Sequence, residues 1–226
     1  MRHFFALTVL GFAVVTNAAA AAKPHVISFG KAMAIKWCVG ANEAECLHLK
    51  ARTLYVDGRA RESTLGASHE ITERLFAVRR AFRVNDALPG DTTAAPGWIW
   101  QRGGWLLVDR MTGHISSLAL PEFDPYYSLA SWYRDYAAYC GVSDDGKKLF
   151  AIVFQVGRRK PVLKKLLGEA GGDDAPDSEC PAPVWERRPV RVTFEPDEDQ
   201  KTTYSIRGHA ADLVADDDVE EEKASQ

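Results

Sequence analysis

Across the chain, short runs recur in which apolar and polar residues alternate with period two, and β-branched and aromatic types fill the apolar positions. That pattern predicts half-buried strands. It runs through His25–Phe29, Ala32–Val39, Leu47–Val56, Leu75–Val84, Trp98–Gln101 and Trp105–Asp109. It resumes at Ile115–Leu120, Tyr136–Val142, Leu149–Val156, Arg191–Phe194 and Thr203–Arg207. Turn signals separate several of these runs: Phe29-Gly30-Lys31, Arg110-Met111-Thr112-Gly113 and Ser143-Asp144-Asp145-Gly146. In the last, Asp and Gly supply local side-chain bonding and the positive φ of a tight hairpin. Helical spacing is confined to His69–Phe82, which has room for one or two turns of helix. Asp86–Gly97 and Gly168–Pro183 read as long polar loops. The prediction is an all-β chain, a single antiparallel meander or sandwich-like domain of about ten or eleven strands.

A faint internal repeat accompanies the strands. "LYVDGRARESTLG" from Leu54 and "LLVDRMTGHISSLAL" from Leu106 share L-x-V-D, a turn and a polar strand. Residues 104–154, with "L-x-D-x-x-T-G" at one turn and "S-D-D-G-K-K-L" at the next, resemble one blade of bacterial β-propeller repeats. The resemblance implies an antiparallel meander, with a small propeller-like arrangement as the alternative fold. Ring closure needs four or more such units, and two are recognisable.

Five of the seven tyrosines fall between Tyr126 and Tyr139. In "YAAYCGVSDDGKKLFAIVF" alternation places Tyr136, Ala138, Cys140 and Val142 on one face, and Ala137 and Tyr139 on the other. The returning strand sets Phe150, Ile152 and Phe154 against Leu149, Ala151 and Val153. Both faces are apolar, so this hairpin should lie centrally, covered on both sides. "EFDPYYSLASWYRD" does not alternate and contains Pro125 and two serines, which predicts a loop or a single turn. Its rings can plug an open end of the β core, through Phe123, Tyr126 and Trp132 with Arg134 and Asp135 pairing nearby. Alternatively, Tyr126, Tyr127, Trp132, Tyr133 and Arg134 form a binding platform for sugar rings or an extended peptide. Trp98, Trp100 and Trp105 are candidates to extend it.

The ends of the chain place it in the cell. Arg2 and His3, the apolar run Phe4–Val15 and the small residues up to Ala22 have the order of a secretory signal peptide. Cleavage there leaves no transmembrane segment and a β-rich domain over residues 23–211. Residues 212–226 carry seven acids and one lysine, the composition of a disordered acidic tail. Setting aside Arg2, Lys223 and the tail acids, the totals of 28 basic and 31 acidic residues become 26 and 24. That near-neutral balance excludes a strongly basic nucleic-acid binder. Export, to a periplasm or the exterior, makes the even set Cys38, Cys46, Cys140 and Cys180 a disulfide set. Spacing favours Cys38–Cys46 across a hairpin and Cys140–Cys180 stapling the Gly/Asp/Pro loop.

Catalytic chemistry has little to stand on. Glu122, Asp124 and Asp135 could supply the carboxylate pair of a glycoside hydrolase. There is no G-x-S-x-G, and His25, His48, His69, His114 and His209 lack metal-ligand spacing, so no metal or cofactor is expected. Lys147, Lys148, Arg158, Arg159, Lys160, Lys164 and Lys165 form a basic tract, read as solubilising hairpin tips or an anion-facing patch. The expected function is that of an exported soluble binding or envelope-associated protein without a catalytic motif. Its partner would be a polysaccharide, a peptide or an envelope protein. The alternatives are a secreted carbohydrate-active hydrolase and a structural subunit of an envelope assembly.

Overall fold

The computed structural model describes residues 23–38, 46–87, 97–170, 180–197 and 199–214. Among them are fifteen strands and no helix, arranged in three antiparallel sheets, none closed into a barrel. The first sheet holds β1 (Ile27–Phe29), β2 (Met33–Trp37), β3 (Leu47–Val56), β4 (Arg59–Glu70), β5 (Leu75–Asn85), β6 (Trp98–Asp109) and β7 (Ile115–Leu118). The second holds β8 (Ser131–Tyr133), β9 (Tyr136–Val142), β10 (Lys148–Gln155) and β11 (Leu163–Glu169), in the order β11-β10-β9-β8. The third is the meander β12 (Val184–Arg187), β13 (Val190–Phe194), β14 (Thr202–Arg207) and β15 (Ala210–Leu213).

β1 and β2 share one edge of β3, pairing with Leu54–Val56 and Leu47–Ala51 respectively. They run in the same direction, so Phe29-Gly30-Lys31 is a break in one edge strand rather than the reversal its sequence suggested. The Gly30 N–H bridges the break by donating to Thr53 O at 2.8 Å. The first sheet curls, bringing its N-terminal edge round to the β6–β7 turn, where His25 N donates to Arg110 O at 2.9 Å. The curl encloses Leu54, Phe76, Val78, Leu106 and Val108 toward one end and Ile35, Ala51, Leu65 and Ala81 toward the other.

The second sheet is the middle layer. Ala137, Tyr139, Ile152 and Phe154 pack against Ala77, Trp105 and Leu120 of the first sheet and its exit. Ala138, Cys140, Leu149, Ala151 and Val153 pack against Val192, Phe194, Tyr204 and Ile206 of the third. Alternation in β9 and β10 assigned every one of these residues to its correct face. Alternating side chains that are apolar on both sides need cover on both sides, and the stacking supplies it.

Several expectations are corrected. The strand number exceeds ten or eleven because β4, β8, β11, β12 and β15 were not legible, while Trp98–Asp109 is one strand instead of two. His69–Phe82 contains no helical turn: β4 ends, the chain bends over Ile71–Arg74 and β5 begins. Residues 104–154 do not build a single blade. The β6–β7 hairpin belongs to the first sheet and the β9–β10 hairpin to the second. Both turns are present as expected, with Gly113 and Gly146 at φ 64° and 72°.

Both disulfides join the expected partners, Cys38 to Cys46 and Cys140 to Cys180. The first closes the β2–β3 hairpin one step beyond the Trp37–Leu47 pair. The expected signal peptide, residues 1–22, lies outside the described residues. So does the tail from residue 215, but β15 runs to Leu213, past the boundary placed at 211.

Candidate functional site

The segment between β7 and β8, which crosses from the first sheet to the second, is anchored by two buried arginines. Arg79 on β5 donates from Nη2 to Pro125 O at 2.7 Å and to Ser128 O at 3.4 Å. Arg102 on β6 donates from Nη2 to Tyr126 O, with its guanidinium 3.7 Å from the centre of the Trp37 ring. Asp124 Oδ1 accepts the N–H groups of Tyr126 and Tyr127, and Ser128 Oγ donates to Cys140 O at 2.6 Å. Buried carbonyls of a loop need donors, and here charged side chains from inside the first sheet provide them. Ser128 also forms an isolated bridge with Cys180, so the disulfide and the loop share one anchor.

Anchored this way, the candidate rings separate. Tyr126 lies 44% exposed against Trp37, its hydroxyl donating to Gln101 Oε1 at 2.7 Å. Tyr127 packs into the core between the second and third sheets, and burial, followed by the Asp197 charge, raises its phenol above the ordinary range. Phe123 packs into the core between the first and second sheets, edge-on to Tyr139. Trp132 and Tyr133 sit on β8, which is a strand and not the loop the sequence suggested. Trp105 is buried, and Trp98 and Trp100 lie on the β5–β6 hairpin away from β8. The single platform of Tyr126, Tyr127, Trp132, Tyr133 and Arg134 does not form.

A different grouping does. Trp132, Tyr133 and Arg134 line an open cleft of about 440 Å³ with His69 of β4 and Arg187 and Arg188 at the β12–β13 turn. All three sheets contribute. His69 stacks on Trp132 at 5.2 Å between ring centres, and Trp132 meets Trp105 edge-on at 5.0 Å. Tyr133 stacks on Trp185 of β12 at 5.5 Å, and the Arg134 guanidinium lies 5.3 Å from the Tyr133 ring centre. Arg134 is the first residue of a two-residue hairpin loop and adopts φ 54°, a position that favours glycine. Its carbonyl, which can only accept, takes the proton on His69 Nε2 at 2.6 Å. Asp135 does not pair with Arg134 but accepts from Gln155 Nε2 at 2.8 Å. Among the described residues, Arg134, Arg187 and Arg188 have no carboxylate partner.

Sequence reasoning reached Trp132, Tyr133 and Arg134 but missed His69, Arg187 and Arg188. The signal available was "WERRPV", two arginines beside a proline after an aromatic residue. Nothing local says that this turn faces β8.

The acids proposed for hydrolysis are engaged separately. Glu122 pairs with Lys164, Asp124 caps the loop and Asp135 holds Gln155. None of them lines the cleft. A second opening, about 380 Å³, lies between the β3–β4 and β6–β7 turns, with His25 hydrogen-bonded to Asp57 at 2.6 Å beside Arg59 and Arg61. The basic tract divides along β10: Lys147 and Lys148 stand at its start, Arg158, Arg159 and Lys160 beyond its end. No family model, curated protein or solved structure matches this chain.

Proposed function

We propose that this is an exported binding protein that takes its ligand in the cleft between β4, β8 and the β12–β13 turn. The observation that carries it is three arginines and a histidine converging from three sheets on one concavity, with no carboxylate among the described residues that line it. Unpaired like charges repel and cost stability, so their convergence is accounted for by an external partner. Two disulfides and a signal-like N-terminus favour a periplasmic or extracellular setting. Catalysis is disfavoured because each candidate carboxylate is engaged by a protein group and none lines the cleft.

Arg134 tests the proposal. A non-glycine residue at positive φ costs about 1 kcal/mol or more. Arg134→Gly relieves that cost and keeps the carbonyl that His69 uses. The variant should melt at or above the wild-type temperature while losing affinity for ligands found by screening saccharides and peptides. Unchanged affinity for every such ligand would remove the cleft as the site.

Docking to an envelope assembly is the second reading, favoured by one observation. The β5–β6 hairpin presents Phe82 and Ile99 on one face and Trp98, 58% exposed, on the other.

A further inference from the structure

We infer that the ligand of this cleft is an acidic polysaccharide, bound as a chain across the end of the stacked sheets; the inference rests on the cleft being the binding site. Both rings in the cleft already carry protein groups: Trp132 has His69 and Trp105, and Tyr133 has Trp185 and Arg134. One stacking partner on each ring is thus a protein group, His69 on Trp132 and Trp185 on Tyr133, and the hydrogen-bond donors the cleft offers a ligand are the guanidinium groups of Arg134, Arg187 and Arg188. Planar guanidinium forks match carboxylate and sulfate groups in paired hydrogen bonds.

The cationic character continues beyond the cleft. The turn after β10 carries Arg158, Arg159 and Lys160, and Arg207 ends β14 beside the Gly208-His209 turn into β15. These turns meet at the cleft's end of the molecule. Tyr136 donates its hydroxyl to Gly208 O at 2.7 Å, and His209 Nδ1 bonds Gln155 Oε1 at 2.9 Å. Arg134 and Arg158 both act on the Tyr136 phenol, whose proton is nonetheless held by burial and by Asp135. Cations on successive turns suit repeated anions along a polymer better than one isolated anion.

The surface also discriminates between polyanions. A bilayer-docking face adds apolar side chains that enter the headgroup region. None of the exposed large apolar side chains among the described residues lies in these turns. Single-stranded nucleic acid is gripped by successive free aromatic faces on which bases stack, whereas the two rings here already stack on His69 and Trp185.

The test uses the exported, mature protein with polygalacturonate, dextran, phosphatidylglycerol vesicles and an oligothymidylate as probes, measured by calorimetry at about 50 and 200 mM salt. Polygalacturonate should bind, weaken at the higher salt, and lose at least about tenfold in affinity when Arg187→Ser and Arg188→Ser are combined. Arg158→Ser with Arg159→Ser should weaken it less, and Lys147→Ser with Lys148→Ser should leave it unchanged. Melting curves of the variants confirm folding. Dextran bound as tightly in the cleft, or tighter binding of vesicles or oligonucleotide there, overturns the assignment to an acidic polysaccharide and leaves the cleft standing. Polygalacturonate binding that survives loss of Arg187 and Arg188 but falls with Lys147 and Lys148 overturns the cleft as well. No binding by any probe overturns the inference.

Discussion

Gly141 sits where β9 of the second sheet packs against Glu122 of the loop that crosses it. A Cβ built there meets the end of Ile152, which is fully buried, and lies 3.1 Å from Glu122 O. That backbone is held in place because Glu122 O accepts the Val142 N–H at 2.9 Å. Neither neighbour can retreat, so Gly141→Ala should destabilise by about 1–3 kcal/mol, as overpacking of a filled core does; a denaturant melt measures it. Tyr139 stands two residues away, buried, with its hydroxyl donating to Pro121 O at 2.7 Å. Burial, and then the Glu122 charge, pushes its phenol far above the ordinary range, so it stays a donor throughout the physiological pH range. Tyr139→Ala should cost about 3–5 kcal/mol through lost burial and the cavity left behind. Tyr139→Phe, which leaves the Pro121 carbonyl without its donor, should cost about 1–3 kcal/mol. Equal losses for the two variants would mean that the hydrogen bond, not the ring, carries the position. The face of Tyr139 was legible from alternation alone. Arg79 and Arg102 were not, because a buried arginine reads as a solvated one until its carbonyl partners, which are distant in sequence, are in place.

At the scale of elements, what could be read depended on whether one face was apolar along the whole strand. β9 and β10 are apolar on both faces and were found almost to the residue. β4 pairs on both edges yet buries mainly Thr64 and Leu65, so its sequence "RARESTLGASHE" shows no alternation to read. β11, "LKKLLGE", hides for another reason. Its register with β10 shifts between Leu149 and Phe150, which leaves Leu167 unpaired and breaks period two where the apolar residues cluster. Its lysines suit an edge strand, where charge discourages pairing with another chain. The disulfides were legible because hairpin proximity and a loop in need of anchoring are both visible in sequence. They should not be equal in effect. Cys140 and Cys180 are 40 residues apart, Cys38 and Cys46 only 8. Chain entropy alone then makes the longer link more stabilising by about 1.4 kcal/mol. Cys140→Ala with Cys180→Ala also frees the anchor at Ser128, so in urea melts it should lose clearly more than Cys38→Ala with Cys46→Ala. A larger loss from the shorter link would show that the curl of the first sheet, not the junction of loop and third sheet, limits stability.

At the scale of the molecule, three stacked sheets follow from apolar patterning, but the cleft does not. It arises where the ends of β4, β8 and β12 coincide, and the order in which sheets stack is set by long-range packing that no single segment records. The same scale decides what the acidic C-terminus does. β15 pairs with β14 through Leu213, and Val214 N donates to Thr203 O at 2.9 Å, so the sheet extends to residue 214. Truncation after Ala211 removes half of an edge strand together with its ladder bonds, and should lower the melting temperature. Truncation after Val214 removes "ADDDVEEEKASQ", which is charged and poor in apolar residues. Such a segment has little to bury, so this variant should melt like the full chain. If the six acids of that segment compete with a polyanion for the arginines of the proposed cleft site, the variant should also bind polyanions more tightly at low salt. That gain should vanish as salt rises and the screening length falls toward about 8 Å at physiological ionic strength. Calorimetry on the two truncations, with polygalacturonate titrated at both salt concentrations, separates the roles. A melting loss with the shorter truncation would place residues 215–226 in the fold, and unchanged affinity at low salt would free the cleft of any competition from its own chain.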